Sequence, residues 1–282
     1  MGKNRLGKLT VQERPLKIAR KKLPSLIQAL HKGVTIGVSA SALLIVATSA
    51  SADSLVLNGS FEQNGGAGQI NFNTFATDWT VPGNAGTSYT FLYAPGTADI
   101  LGVTSGVYGD NPLWGPNDGS ANDLPATSPD GGYFAASDAD FQQSPIQQTI
   151  NGLTAGDTYA VGFWFAASQQ YSFGGSTDSL WQVSFGSQTQ STPDMSIPAE
   201  GFSGWQYQTF DFTADNASDL LSFFASNGQG GGAPPFALLD GVSVNQVTAT
   251  PEPGSLPLLF TGLMCGIGAL WTRKRRKPLT RG

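Results

Sequence analysis

Between Asp53 and Thr250 the chain carries no lysine, no arginine, no histidine and no cysteine. Each absence excludes something. The same stretch holds 18 of the 20 acidic residues, and such a body repels a phosphate backbone, so nucleic acid is excluded as a partner. No internal Lys or Arg salt bridge can form, which leaves the carboxylates to water, to backbone amides or to a bound cation. Without His or Cys there is no Ser-His-Asp or Cys-His set and no zinc-histidine site. Lysine Schiff-base chemistry is excluded too. Carboxylate chemistry of the glycosidase kind is the one catalytic route left. Its most conspicuous pair is Asp138 and Asp140, alternate residues that share a face if they lie on a strand. Nothing around them in the sequence signals the apolar burial that would raise one pKa, so the expectation is a protein that is not an enzyme. The single cysteine, Cys265, lies beyond this stretch. The body therefore has no disulfide and rests on core burial and any metal ions it binds.

The positive charge missing from the middle stands at the two ends. Nine of the 15 Lys and Arg fall between Met1 and Lys32, and the other six follow Trp271. The first set precedes an apolar stretch from Gly33 to about Thr48 and the small-x-small sequence Ala50-Ser51-Ala52. That order reads as an export signal, with signal peptidase cutting after Ala52 and Asp53 beginning the mature chain. An uncleaved anchor is the alternative. At the other end, Pro251-Glu252-Pro253 precedes the uncharged run from Ser255 to Trp271, and Arg273-Lys274-Arg275-Arg276-Lys277 follows it. The run is at the short end of the roughly 17 to 25 residues that cross a bilayer as a helix. The basic cluster would hold its far end in the cytoplasm and leave the body outside the inner membrane. This three-part tail resembles the PEP-CTERM sorting signal of Gram-negative bacteria. The resemblance implies recognition of Pro251, Glu252 and Pro253, together with Arg273, Arg275 and Arg276, by an exosortase-type membrane protease. It also implies cleavage near the triplet and delivery of the body to the cell surface or exopolysaccharide matrix. A protein permanently anchored by residues 255–271 is the competing outcome. The chain thus divides into a signal segment (1–52), a body (53–249) and a sorting segment (250–282).

No part of the body shows the i, i+3, i+4 apolar spacing of a helix. Nine short β-rich runs appear instead: Leu55–Asn58, Thr87–Tyr93, Gly132–Ala136, Ile146–Ile150, Tyr159–Ala166, Leu180–Phe185, Tyr207–Phe212, Leu220–Ala225 and Ala237–Val244. They predict an all-β fold, an antiparallel β-sandwich or jelly roll. The segment from Gly102 to Gly131, rich in Gly, Pro, Asn and Asp, reads as a surface excursion. It is too long for an ordinary connection, which makes it functional or mobile. Within it, Asn117 to Asp123 lacks the EF-hand register and reads as a solvated loop.

The ends of the body carry a second resemblance. Asn58-Gly59-Ser60-Phe61-Glu62, with Trp79 after it, and Leu239-Asp240-Gly241-Val242-Ser243-Val244 resemble the first and last strands of galactose-binding-like jelly rolls, which include many carbohydrate-binding modules. Many members end in two adjacent acids where this chain has Asp240-Gly241. The resemblance implies a structural calcium ion where the first and last strands meet. Glu62 and Asp240 would be its side-chain ligands, and the Asn58 to Ser60 loop would supply carbonyls toward the six to eight hard oxygens calcium takes. It also implies a structural or glycan-binding role with extracellular polysaccharide as partner. Sugar recognition needs an aromatic face and a few fixed polar groups. Trp181 alternates with Val183 and Phe185 and should point inward. Trp164, opposite in phase to Val161, Phe163 and Phe165, and the pair Trp205 and Tyr207 are the candidate groove, with Trp114 or Tyr108 reaching it from the long segment.

Overall fold

The computed structural model describes residues 54–227 and 234–248. Ala50, Ala52, Pro251, Glu252, Pro253, Arg273, Arg275, Arg276 and the apolar run 255–271 lie outside the described residues. Among the described residues no helix is long and apolar enough to cross a membrane.

The body is an antiparallel β-sandwich. One sheet joins, in spatial order, β1 (Gly68–Gln69), β2 (Thr90–Tyr93), β5 (Phe134–Asp138), β13 (Pro235–Gln246), β7 (Thr158–Gln169) and β11 (Gln206–Thr213). The other joins β10 (Met195–Ile197), β8 (Thr177–Phe185), β12 (Ser218–Ser226) and β6 (Ile146–Asn151), with β9 (Gln188–Ser191) on β8. A small ribbon pairs β3 (Ser105–Gly106) with β4 (Gly109–Asp110). From β5 onward most connections cross from one sheet to the other, the connectivity a jelly roll requires.

The period-2 pattern decides what faces inward. Along β7, Tyr159, Val161, Phe163, Phe165 and Ala167 enter the core between the sheets, where they meet Trp181, Val183 and Phe185 from β8 and Leu221 and Phe223 from β12. Trp181 points inward as expected, and its indole N–H donates to the Leu238 carbonyl of the facing sheet at 2.9 Å. On β13 the inward set is Ala237 and Leu239, then Val242 and Val244. The change of phase comes from a bulge between Asp240 and Ser243, where Gly241 takes φ +56°. One extra residue there turns both valines into the core.

Two expectations are corrected. Leu55–Asn58 is not a strand. Leu55 N–H donates to Val244 (2.9 Å), but the chain then turns at Asn58, whose φ is +51°. The Asn58 side chain closes that turn, donating to the Gln63 and Thr77 carbonyls and accepting from Gln63 N–H. Asparagine tolerates this region better than most residues. The segment from Gly102 to Gly131 is not a surface excursion. It lies over the outer face of the six-stranded sheet, where Leu113 and Leu124, with Ala98 just before them, pack on Tyr89, Phe91, Tyr93, Phe134, Ala136, Ala166, Phe236 and Leu238. The sheet is therefore apolar on both faces over much of its width. Its polar loop residues make structural bonds: the Asp99 carboxylate accepts from Asn117, and Ser120 and Asn122 donate to the Glu200 carbonyl. Asn117 to Asp123 is thus tied down by hydrogen bonds.

Candidate functional site

Glu62, Asp240, Trp164 and Tyr207 are brought together on the outer face of the six-stranded sheet. Asp240 pairs with Trp164 across β13 and β7, and Trp164 pairs with Tyr207 across β7 and β11. The two rings meet edge to face, 5.1 Å between centroids. Tyr207 is 53% exposed. Its hydroxyl lies over Gly162, where a Cβ would come within 2.2 Å of it, so glycine at 162 lets the phenol lie across β7.

Asp240 is fully buried. Its Oδ2 accepts from the Ser128 hydroxyl, while Oδ1 has no well-aligned hydrogen-bond donor among the described residues. Burial pushes its carboxyl up to about 8, and Asp130 and Glu62 add repulsion against the lowering by Ser128 and the Gly241 amide. Glu62 accepts from Tyr133 N–H at 2.6 Å. Gly132 before it has φ +62°, and a Cβ there would meet Glu62 Oε1 at 1.7 Å. The fold thus brings Glu62 and Asp130 within electrostatic reach of Asp240, with no basic side chain among the described residues to offset them.

This arrangement fits a calcium ion in part. The orphaned Asp240 Oδ1 and the repulsion that Asp130 and Glu62 exert on Asp240 are what an ion would relieve. Among the described residues no three acidic, His or Cys side chains converge as a metal-binding group, so backbone carbonyls and water would have to complete the shell. In the expected loop, the Asn58 carbonyl already accepts from Phe61 N–H and Trp79 Nε1–H, and Gly59 accepts from Val242 N–H. Among the described residues the Ser60 carbonyl accepts no such bond.

Trp205 and Trp114 lie apart from this pair. Trp205 is half-buried against Phe134 and Phe202, covering the second core. Trp114 packs on Tyr171 at 4.5 Å and donates to the Phe173 carbonyl. Its backbone bonds to Gln169, five positions along β7 from Trp164 and so roughly 16 Å away.

Sequence reasoning missed a cavity at the opposite end of this face. Tyr89, Tyr108, Asp110, Asp138, Asp140, Phe141, Gln170, Phe173 and Pro234 surround about 430 Å³. The expectation that Asp138 has no apolar surroundings is overturned: it is 1% exposed, and burial pushes its carboxyl up to about 7, with Asp140 adding repulsion. The Asp140 and Phe141 amides donate to its Oδ1. Tyr89, buried beside Asp138 and Tyr108, is itself pushed up to about 12, chiefly by burial and then by the Asp138 charge. The alternation of Phe134, Ala136 and Asp138 was the available signal. It places Asp138 on the face that the long segment covers.

No protein-family model matches the chain, and no curated protein matches it. Among solved structures it is similar to the CBM22-1 xylan-binding domain of Paenibacillus barcinonensis Xyn10C, with 12% identity over 72% of this chain and 100% of that one at a TM-score of 0.35. The CBM22-1-CBM22-2 tandem of the same protein gives 13% identity over 74% and 50%, at 0.37. The enzymatically active domain of tailspike protein 4 from bacteriophage CBA120 gives 14% over 69% of this chain at 0.35, and this chain spans about a fifth (21%) of its length. With TM-scores below 0.5, these likenesses do not bear on what this chain binds.

Proposed function

We propose that the chain is an exported surface or matrix protein, sorted by an exosortase-like system, whose β-sandwich is non-catalytic and binds glycan on its outer sheet face. The observation that carries the binding role is Tyr207 lying across Gly162 with Trp164 edge-on beside it and Asp240 next in the row. An aromatic surface faces a sugar's C–H groups, and the neighbouring carboxylates Glu62 and Asp130 accept from its hydroxyls. A calcium ion on Asp240 and Glu62 would neutralise the cluster and fix the first turn of the body against β13. The delivered body carries no cation, so an uncharged polysaccharide suits it better than an acidic one.

Calorimetry of recombinant 53–250 against a panel of neutral and acidic polysaccharides, with and without calcium, tests the reading. Binding that Tyr207→Ala or Trp164→Ala abolishes supports it, and absence of binding to every polysaccharide leaves a structural matrix role. Mass spectrometry of the surface form tests the sorting: a C-terminus near Pro251-Glu252-Pro253 supports processing, and retention of Trp271 supports a permanent anchor. The glycosidase alternative draws on Asp138 beside Asp140 in the cavity. Release of reducing sugar from the same panel would establish it.

A further inference from the structure

The second cavity is built differently from the Trp164–Tyr207 surface and stands independently of it. Tyr108 is 57% exposed and Phe141 and Phe173 are each 44% exposed. Tyr89, Tyr108 and Phe141 form one cluster, with centroids 5.4 to 5.9 Å apart. Tyr108, Phe141 and Phe173 are thus open to solvent beside the cavity, and the face of an aromatic ring attracts a cation.

The polar lining is of one sign. Asp110, Asp138 and Asp140 contribute three carboxyl groups, and Gln170 is the amide among them. Asp110 accepts from Gly102 N–H and Asp140 from Asn227 Nδ2, so both are held in place. Asp138 commits Oδ1 to two backbone amides. Its Oδ2 has no hydrogen-bond partner among the described residues, although the side chain is almost wholly buried.

We propose that this cavity binds an organic ammonium group carried on a body of about monosaccharide size, such as an amino sugar with a free amine. Three features select this class. Carboxylates and ring faces both attract a diffuse cation, whereas a hard metal ion seeks a full shell of oxygens that rings cannot supply. The volume lies within the range of small-molecule sites and far exceeds that of one ion. No Lys, Arg or His in the body can supply the missing positive charge. Asp138, facing Tyr89 of its neighbouring strand region and Asp140 of its own segment, is left partly protonated near neutrality by burial. A bound cation would favour its ionised form.

Titration calorimetry at low ionic strength and about pH 7, where an amino-sugar amine is largely protonated, tests this on the full-length chain in a polyoxyethylene detergent. The probes are glucosamine, N-acetylglucosamine, glucose and tetramethylammonium. Glucosamine should bind about tenfold or more tighter than glucose and N-acetylglucosamine. Asp138→Asn, Asp140→Asn and Phe141→Ala should each weaken it, with folding checked by the melting transition. Asp140→Asn changes an exposed residue and so keeps the test open should Asp138→Asn fold poorly. Tetramethylammonium binding as tightly as glucosamine upholds the ammonium as the recognised group, and weaker binding adds recognition of the sugar ring. Equal binding of glucose and glucosamine, no binding of either cation, or full affinity in folded Asp138→Asn and Asp140→Asn would overturn the proposal.

Discussion

Asp138 and Asp240 stand on the same outward face of the six-stranded sheet, one at each end of its apolar strip. Asp138 pairs with Phe236, and Asp240 lies one residue past the Leu239–Ala135 pair. Between them run Ala136, Leu238 and Phe134 beneath the long covering segment. The second core is thus closed at each end by a buried carboxyl that has no basic side chain beside it among the described residues.

That placement makes stability depend on pH. Both folded pKa values, about 7 and about 8, lie above the ordinary 3.8, so the folded chain binds more protons than the unfolded one between these limits. These two groups stabilise the fold fully below about pH 4, and the contribution is lost as pH rises to about 8. The slope is at most about 1.4 kcal/mol per pH unit for each group. The melting temperature in chelator should therefore fall across this window, and Asp138→Asn and Asp240→Asn should each flatten the fall. A rise across the window would contradict the placement.

Calcium should act on one end only. At about pH 8, calcium at a hundredfold excess over its dissociation constant should stabilise the fold by about 2.7 kcal/mol. Chelator should reverse the gain, Asp240→Asn should remove it and Asp138→Asn should keep it. Melting curves with elemental analysis measure both, and a chelator-insensitive transition without bound calcium would remove the ion from the site.

Gly132→Ala probes the turn that seats Glu62. At φ +62°, with its new Cβ driven into the Glu62 carboxylate, the variant should lose about 1–3 kcal/mol. It should also respond less to calcium, because Glu62 is displaced. Denaturant unfolding with and without the ion separates the two effects.

Leu113→Ala tests whether the covering segment is part of the fold. Leu113 is fully buried in the second core, so the truncation should cost about 2–5 kcal/mol. It should also open residues 102–131 to proteolysis. An unchanged unfolding midpoint would mean that the segment only rests on the sheet.

The sequence by itself determined the chemistry available to this protein. Residue types alone remove His, Cys and Lys catalysis and internal Lys or Arg salt bridges from the stretch between Asp53 and Thr250, whatever its fold. Strand periodicity likewise placed Trp181 inward and Trp164 outward, because alternation is local. Gln188–Ser191 is polar throughout and Met195–Ile197 is only three residues long, so neither gave an apolar run to read, and the turn at Asn58 was hidden behind strand-like composition. Only the tertiary structure decided that the Gly- and Pro-rich segment 102–131 covers a second core. Its few apolar residues, Leu113 and Leu124 among them, acquire meaning from a sheet face assembled from strands distant in sequence. The same covering buries Asp138 and raises its pKa, a property that depends on the dielectric around the carboxyl and so on packing that no local pattern records. Asp240 repeats the lesson: the Asp240-Gly241 pair was legible as a motif, but its orphaned oxygen and the approach of Glu62 and Asp130 arise where three separate segments converge.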